Sequence, residues 1–286
     1  MTNLLRPLAA MLLAAMLLLS SCGAPAECEL LVLMYHHIDD VGDNSATVSA
    51  DTFGWQLDLL LAEGYTTVSP AELVAYIDRG KPLPDKPVCI VFDDGYESNF
   101  TLAMPALSAR GMSASVCVIG WSVGKDVYKH TGVPIIPHFT WEQAREMEAS
   151  GVFTIGSHTY DMHQNASLEG GRAREAAVPL PDETAENFAA DFRADHTLLA
   201  AEMEAALGHG PLIFAYPHGR YCEAAEEILR DAGVRVTFIT EVGRNTVRRG
   251  DADSLHLLRR YSINEHTDLG SILNPPETTA GTEGVN

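Results

Sequence analysis

The chain has 286 residues, 46% of them hydrophobic and 20% charged, a globular balance with length for one large α/β domain or two small ones. Its 19 Lys plus Arg stand against 39 Asp plus Glu, for a net charge of −20. Such a surface repels polyanions, which excludes nucleic acid as an expected partner.

Residues 1–6 make a short start ending in Arg6, an apolar run from Leu8 to Leu19 is too short for an ordinary spanning helix, and Ser20-Ser21-Cys22 follows. This is the order of a secretory signal. Leu-Ser-Ser-Cys resembles the bacterial lipobox, so residues 1–21 are expected to be removed and Cys22 to be lipidated. The expected product is an exported, membrane-anchored bacterial lipoprotein, facing the envelope exterior or the periplasm; an uncleaved helix or a plain signal peptide is the alternative. Residues 22–29 read as a tether, and 274–286, rich in turn formers, as a polar tail.

Between these ends, short apolar runs alternate with amphipathic stretches. The runs 30–35, 65–68, 88–92, 115–119, 153–155, 212–215 and 234–239 are predicted as buried strands, with a last strand near 257–263. Helices are predicted over 51–63, 70–79, 99–110, 141–150, 183–207 and 222–232. Ser69-Pro70-Ala71-Glu72 and Thr140-Trp141-Glu142-Gln143 are capping boxes that mark two helix starts, and glycines such as Gly80 and Gly208 mark helix ends. Repeated βα units of this number predict an α/β fold, a distorted barrel of seven to eight parallel strands, spanning one domain over 30–273. Segment 165–181 breaks the rhythm and reads as a surface loop beside the site, and 121–139, holding His130, Pro134, Pro137 and His138, is another long connection that either shapes a substrate cleft or is padding. Cys28, Cys89, Cys117 and Cys222 could form disulfides in an oxidising compartment but show no close clamp; Cys89 and Cys117 lie in strand-like runs, so buried free thiols are expected there and a thiolate zinc site is not.

The chemistry gathers at strand ends. Ile90-Val91-Phe92 runs into Asp93-Asp94-Gly95, two carboxylates on neighbouring residues that face different ways along a strand. One can hold a cation while the other reaches its water; a plain Asp-rich turn is the competing reading. Gly156-Ser157-His158 is followed, five residues on, by His163. That spacing sets two histidines roughly 140° apart on a helix, so they can share a ligand only from a strand end and a turn. With one carboxylate they make a His2Asp set suited to metal-assisted hydrolysis. Tyr35-His36-His37 ends the first strand on the same rim, Tyr216-Pro217-His218-Gly219 ends a later one, and Arg259-Arg260 lies in the last.

In this order the motifs resemble the polysaccharide deacetylases of carbohydrate esterase family four, the NodB-like enzymes, and within them the circularly permuted branch that includes poly-N-acetylglucosamine deacetylases. The resemblance covers the chain from about Leu30 to Ile263. It implies Asp93 as catalytic base and Asp94, His158 and His163 as ligands of a divalent metal, zinc or alternatively cobalt, nickel or iron. It further implies His36 as general acid, Tyr216 and Pro217 as a groove wall with a backbone donor to the oxyanion, and Arg260 as a partner that orients Asp93, with Arg259 next to it leaving the register open. Four residues separate the histidines where the main branch has two, and His218 replaces a common aromatic. The implied activity is metal-dependent removal of N-acetyl groups from an N-acetylglucosamine-containing cell-surface polysaccharide by a monomer. An acetyl esterase acting on an acetylated polysaccharide, or a glycan-binding lipoprotein without turnover, are the alternatives.

Overall fold

The structure, a computed structural model, describes residues 26–40 and 46–275. The expected signal segment 1–21, the lipidation site Cys22 and the tail beyond residue 275 lie outside the described residues.

Strand β1 (Glu27–Tyr35) leads into β2 (His37–Ile38), which pairs with β3 (Thr47–Val48) as a small separate ribbon. Helix α1 (Ala50–Ala62), β4 (Thr66–Thr67) and α2 (Pro70–Arg79) follow, then β5 (Pro87–Phe92), α3 (Met104–Ser108) and β6 (Ala114–Val118). Next come α4 (Trp141–Ala149), β7 (Phe153–Ser157), α5 (Ala185–Leu207), β8 (Ile213–Ala215), α6 (Glu223–Asp231), β9 (Val236–Phe238), β10 (Asn245–Arg248), β11 (Tyr261–Ser262) and α7 (Leu269–Leu273). The main sheet runs β1-β5-β6-β7-β8-β9 with every neighbouring pair parallel, β4 adds to the start of β5, and β11 lies parallel to β1. A bridge from Phe238 to Leu258 brings the last segment against β9, so the curled sheet returns to β1. This is the expected distorted barrel.

Strand period sorts the core into two faces. Leu31, Leu33 and Tyr35 of β1 with Val88, Ile90 and Phe92 of β5 pack outward against Phe53, Leu57 and Leu60 of α1. Leu30, Val32, Cys89 and Val91 point the other way and meet Cys117, Ile213, Ala215, Val236, Phe238 and Leu258. Both faces are covered, which is why these strands read as unbroken apolar runs. Both capping boxes are formed, at Ser69 and at Thr140. Cys89 and Cys117 are buried, and all four described cysteines are free thiols.

The structure departs from the sequence expectation at four places. Residues 27–29, assigned to the tether, already belong to β1, because Glu27–Leu30 pair antiparallel with β10, a strand not anticipated. The stretch expected as helix 99–110 opens as a wide π turn over Asn99–Ala103, where the Met104 N–H reaches back to Asn99 O, before α3. Pro105 supplies no N–H and its ring crowds the preceding turn, so that turn opens instead of winding as α. The strand expected at 65–68 shrinks to Thr66–Thr67, and that near 257–263 to Tyr261–Ser262 plus a single bridge at Leu258, because Leu257 turns left-handed at φ 57°.

Candidate active site

The site forms at the C-terminal ends of the parallel strands, as βα barrels favour. Asp93 follows Cys89 and Val91 on the inner face of β5, and Arg260 follows Leu258 on the inner face of the last segment. They meet in the barrel interior: Arg260 Nη1 and Nη2 each donate at 2.8 Å to one oxygen of Asp93. Arg260 is fully buried and Asp93 only 2% exposed. Arg260 Nε is spent on Ile239 O at 3.0 Å, which aims the fork. Burial is the largest influence and pushes the Asp93 carboxyl up, but the Arg260 charge, His158, the Arg260 hydrogen bonds and His36 together outweigh it and bring it down to about 2. The neighbouring Arg259 pairs with Glu241 at the surface, at 2.9 Å, so the register left open by the two arginines is decided for Arg260.

Strict alternation would send Asp94 outward with Phe92. Instead Asp94 takes φ 71° and Gly95 φ 89°, and this break in the strand turns the Asp94 carboxylate to the same rim as Asp93. A side chain on Gly95 would also meet Val118, with Cγ1 at 3.0 Å.

His158 extends β7 by one residue, its N–H bonded to Val118 O at 2.8 Å, on the inner face with Gly156. Its Nδ1–H donates to Ala215 O at 2.7 Å, so Nε2 carries the lone pair and lies 3.6 Å from Asp94 Oδ1. Burial holds the imidazole down to about 4, neutral across the working range. His163 comes back after a tight turn. Thr159 has φ 71° and its Oγ1 accepts the Met162 N–H at 3.1 Å, while Asp195 on α5 accepts the N–H groups of Tyr160 and Asp161 at 2.7 Å each. The turn sets His163 Nε2 at 3.7 Å from the same Asp94 oxygen.

Asp94, His158 and His163 thus offer three ligand atoms, all within 4.8 Å of one another. Asp94 Oδ1 is buried and meets no hydrogen-bond donor, an orphaned charge that a cation would satisfy. Tetrahedral ligands at ~2.1 Å from an ion stand ~3.4 Å apart, so the two Asp–His distances need to shrink by only a few tenths of an ångström. The residues present fit a divalent metal. Burial raises the Asp94 carboxyl, and His36, His158 and His163 together hold it below the ordinary carboxylate range.

His36 lies just past the end of β1 and is among the charges that act on both aspartates. Its carbonyl is held by Asn99 Nδ2 at 2.9 Å, in the widened turn, and its Nδ1 is buried without a partner. His37 is occupied differently: Nδ1 contacts Ser98 Oγ at 2.9 Å, so it serves the fold.

Tyr216 and Pro217 stand at the end of β8, but the Tyr216 N–H donates to Phe238 O at 2.9 Å. The donor expected to face an oxyanion is therefore committed to the sheet, and the Tyr216 ring is buried against Phe214 and Tyr221 rather than forming an open wall. His218, left-handed at φ 55°, packs its ring 4.6 Å from that of His163 and takes the rim position instead.

A cleft of about 410 Å³ opens beside Asp94 and His163, walled by Tyr96, Trp121, Tyr128, Ile136 and His138. The Asp94 charge, ahead of burial, raises the Tyr96 phenol. Tyr96 and His138 also pair as a backbone bridge with rings 5.0 Å apart, a contact between distant segments for which the sequence carries no local signal. A roomier hollow of about 590 Å³ around Thr154, His196 and His209 lies at the opposite ends of the strands and holds none of these residues.

Residues 80–237, more than half of the chain, match the polysaccharide deacetylase family. The Bacillus subtilis (strain 168) protein YxkH is 30% identical over 231 residues, covering 81% of this chain and 71% of that protein. The poly-β-1,6-N-acetyl-D-glucosamine N-deacetylase of Escherichia coli (strain K12) is 27% identical over 237 residues, covering 74% of this chain but only 34% of that protein. This chain thus spans about a third of the Escherichia coli protein's length. Of solved structures, IcaB from Ammonifex degensii is similar with a TM-score of 0.66 at 31% identity, covering 82% of this chain and 91% of that one. The de-N-acetylase from Aggregatibacter actinomycetemcomitans has a TM-score of 0.72 at 25% identity, covering 86% and 99%. Motif order, barrel and relatives agree: the chain belongs to the polysaccharide deacetylase family and is an enzyme of that amide-hydrolysing kind.

Proposed function

We propose that the chain removes acetyl groups from N-acetylglucosamine units of a cell-surface polysaccharide of the poly-β-1,6-linked type, with a divalent metal held by Asp94, His158 and His163. The single observation that carries this reading is the three-ligand cluster, Asp94 and His158 buried and His163 partly exposed, set beside a carboxylate that Arg260 holds ionised. The names of the Escherichia coli relative and of the Aggregatibacter structure support the reaction type.

When bound, zinc or a similar cation would polarise the acetamide oxygen and lower the pKa of water toward 7. Asp93 accepts the water proton as hydroxide oxygen bonds to the acyl carbon. A carboxyl near 2 is a weak base, so its value here lies in being ionised and aimed at every working pH, with the proton made easier to remove. His36 gives a proton to the sugar nitrogen as the C–N bond breaks, releasing acetate and a free amine. His158 stays neutral and oriented through Ala215 O. The oxyanion finds no free Tyr216 N–H in this arrangement.

The test is acetate release from β-1,6-linked N-acetylglucosamine oligomers, chitin oligomers, peptidoglycan and acetylxylan, each with and without a chelator. The reading expects chelator-sensitive release from the first. Release from acetylxylan alone would replace it with an acetyl esterase, and binding without release would make the protein a glycan-binding module.

The lipobox-like Leu19-Ser20-Ser21-Cys22 supports export and anchoring to a bilayer through Cys22. Cys22→Ala should move the protein from the membrane to the soluble fraction; unchanged membrane association would refute the anchor.

A further inference from the structure

The long connection 121–139 takes no part in the chemistry above, yet it supplies much of the cleft wall. A connection without regular structure holds one shape where hydrogen bonds and ion pairs tie it down. The end of this one is held by backbone bonds, Glu97 N–H to Pro137 O and Phe139 N–H to Gly95 O, and its middle by Tyr128 and by Lys129. Lys129 Nζ lies 3.0 Å from Asp161 Oδ2 and 2.8 Å from Oδ1, pairs with Glu169, and sits 5.6 Å from the Trp121 ring centre and 5.4 Å from that of Tyr128.

Three separate segments meet at this ammonium. Trp121 and Tyr128 belong to the cleft connection, Asp161 lies in the turn between the ligands His158 and His163, and Glu169 belongs to the 165–181 loop. Tyr128 Oη donates to Glu169 at 2.5 Å and accepts the Asn165 N–H at 3.0 Å, which closes the junction. Lys129 itself adopts φ 41°, a left-handed conformation that a lysine takes only when its surroundings over-determine it. The side chains involved are 21–33% exposed, so the pairs are shielded more than ordinary surface bridges are.

A pyranose ring has an apolar C–H face that packs on aromatic rings, and the Trp121–Tyr128 pair, edge to face at 4.8 Å, stands in the same cleft as Asp94 and His163. We propose that Lys129 is a positioning residue for substrate: it fastens the aromatic wall to the metal-bearing turn, so that the sugar next to the scissile acetamide packs on Trp121 and Tyr128. This rests on the deacetylase reading for the identity of the sugar, but the fastening itself does not.

Lys129→Met, Lys129→Arg and Glu169→Gln are compared with the wild type in two ways. Steady-state acetate release is measured on a β-1,6-linked N-acetylglucosamine pentamer and on 4-nitrophenyl acetate. Amide hydrogen exchange is followed over 121–139. Lys129→Met and Glu169→Gln should each raise KM for the pentamer about tenfold with kcat within about twofold, leave the small ester unchanged, and speed exchange in the segment about tenfold, while Lys129→Arg stays near wild type. Unchanged pentamer KM, an equal fall of kcat on both substrates, or unchanged exchange would overturn the proposal. Should Lys129→Met fail to fold, Glu169→Gln carries the same comparison. A wild type inactive on the pentamer would sink the deacetylase reading instead, and exchange over 121–139 would still decide the role of Lys129.

Discussion

Replacing Arg260 by Met tests how the barrel tolerates a charged base in its interior. The substitution keeps much of the arginine stem but removes two 2.8 Å bonds to Asp93 and leaves its carboxylate buried with no counter-charge in direct contact. Breaking one partner of a buried pair costs about 3–5 kcal/mol, against a total domain stability of about 5–15 kcal/mol. Asp93 would then answer to burial with only His158 and His36 to oppose it, and its carboxyl should rise out of the low range that Arg260 helps to maintain. Equilibrium urea unfolding at pH 7 should show the loss directly. Asp93→Asn in the Arg260→Met background should recover part of it, because the stranded charge is gone, giving a double-mutant coupling of at least about 2 kcal/mol. An Arg260→Met protein within about 1 kcal/mol of wild type, or additive single and double variants, would refute the claim that this pair is desolvated and mutually dependent.

Three further outcomes follow from the geometry. Asp93 has its carboxyl depressed from 3.8 to about 2 in the fold, so its contribution, about 2 kcal/mol, is present above pH 4 and lost as pH falls toward 2; the stability difference between wild type and Asp93→Asn should therefore shrink over that window, and a difference independent of pH would contradict it. Asp195→Ala removes the acceptor of the Tyr160 and Asp161 N–H groups and should weaken zinc binding about 10–100-fold in a chelator competition, with unchanged affinity counting against its part in setting His163. Gly156→Ala would place a Cβ 2.1 Å from Ile213 Cγ1 and 3.0 Å from Ile213 O, so it should destabilise by about 1–3 kcal/mol in thermal or urea unfolding and cost less in an Ile213→Ala background, where Cγ1 is absent; a neutral Gly156→Ala would show that this face of the barrel is loosely packed.

What the sequence displayed was whatever has a local signature. The Asp93-Asp94 pair and the His158 and His163 turn stand directly after apolar strands, and the barrel brings Asp94 and the two histidines together. The caps at Ser69 and Thr140 were legible for the same reason. Long-range partners were not. Arg259 and Arg260 are chemically alike, and only the inward placement of Leu258, two residues earlier, selects Arg260. Lys129, Asp195, Tyr96 and His138 act through segments far apart in the chain, where no spacing betrays the contact. Strand β10 was missed because only Val247 of its four residues is buried. The Tyr216 donor shows the limit of a motif: the residues match, but the sheet has taken the N–H.

The proposed hydrolysis needs a cation at Asp94, His158 and His163 served by a separate base, Asp93. The most direct measurement is acetate release and metal stoichiometry on the same Asp93→Asn preparation. One metal per chain should be retained while release from the N-acetylglucosamine oligomer falls by about 10²–10⁴-fold. Release near the wild-type rate with the metal in place would contradict it.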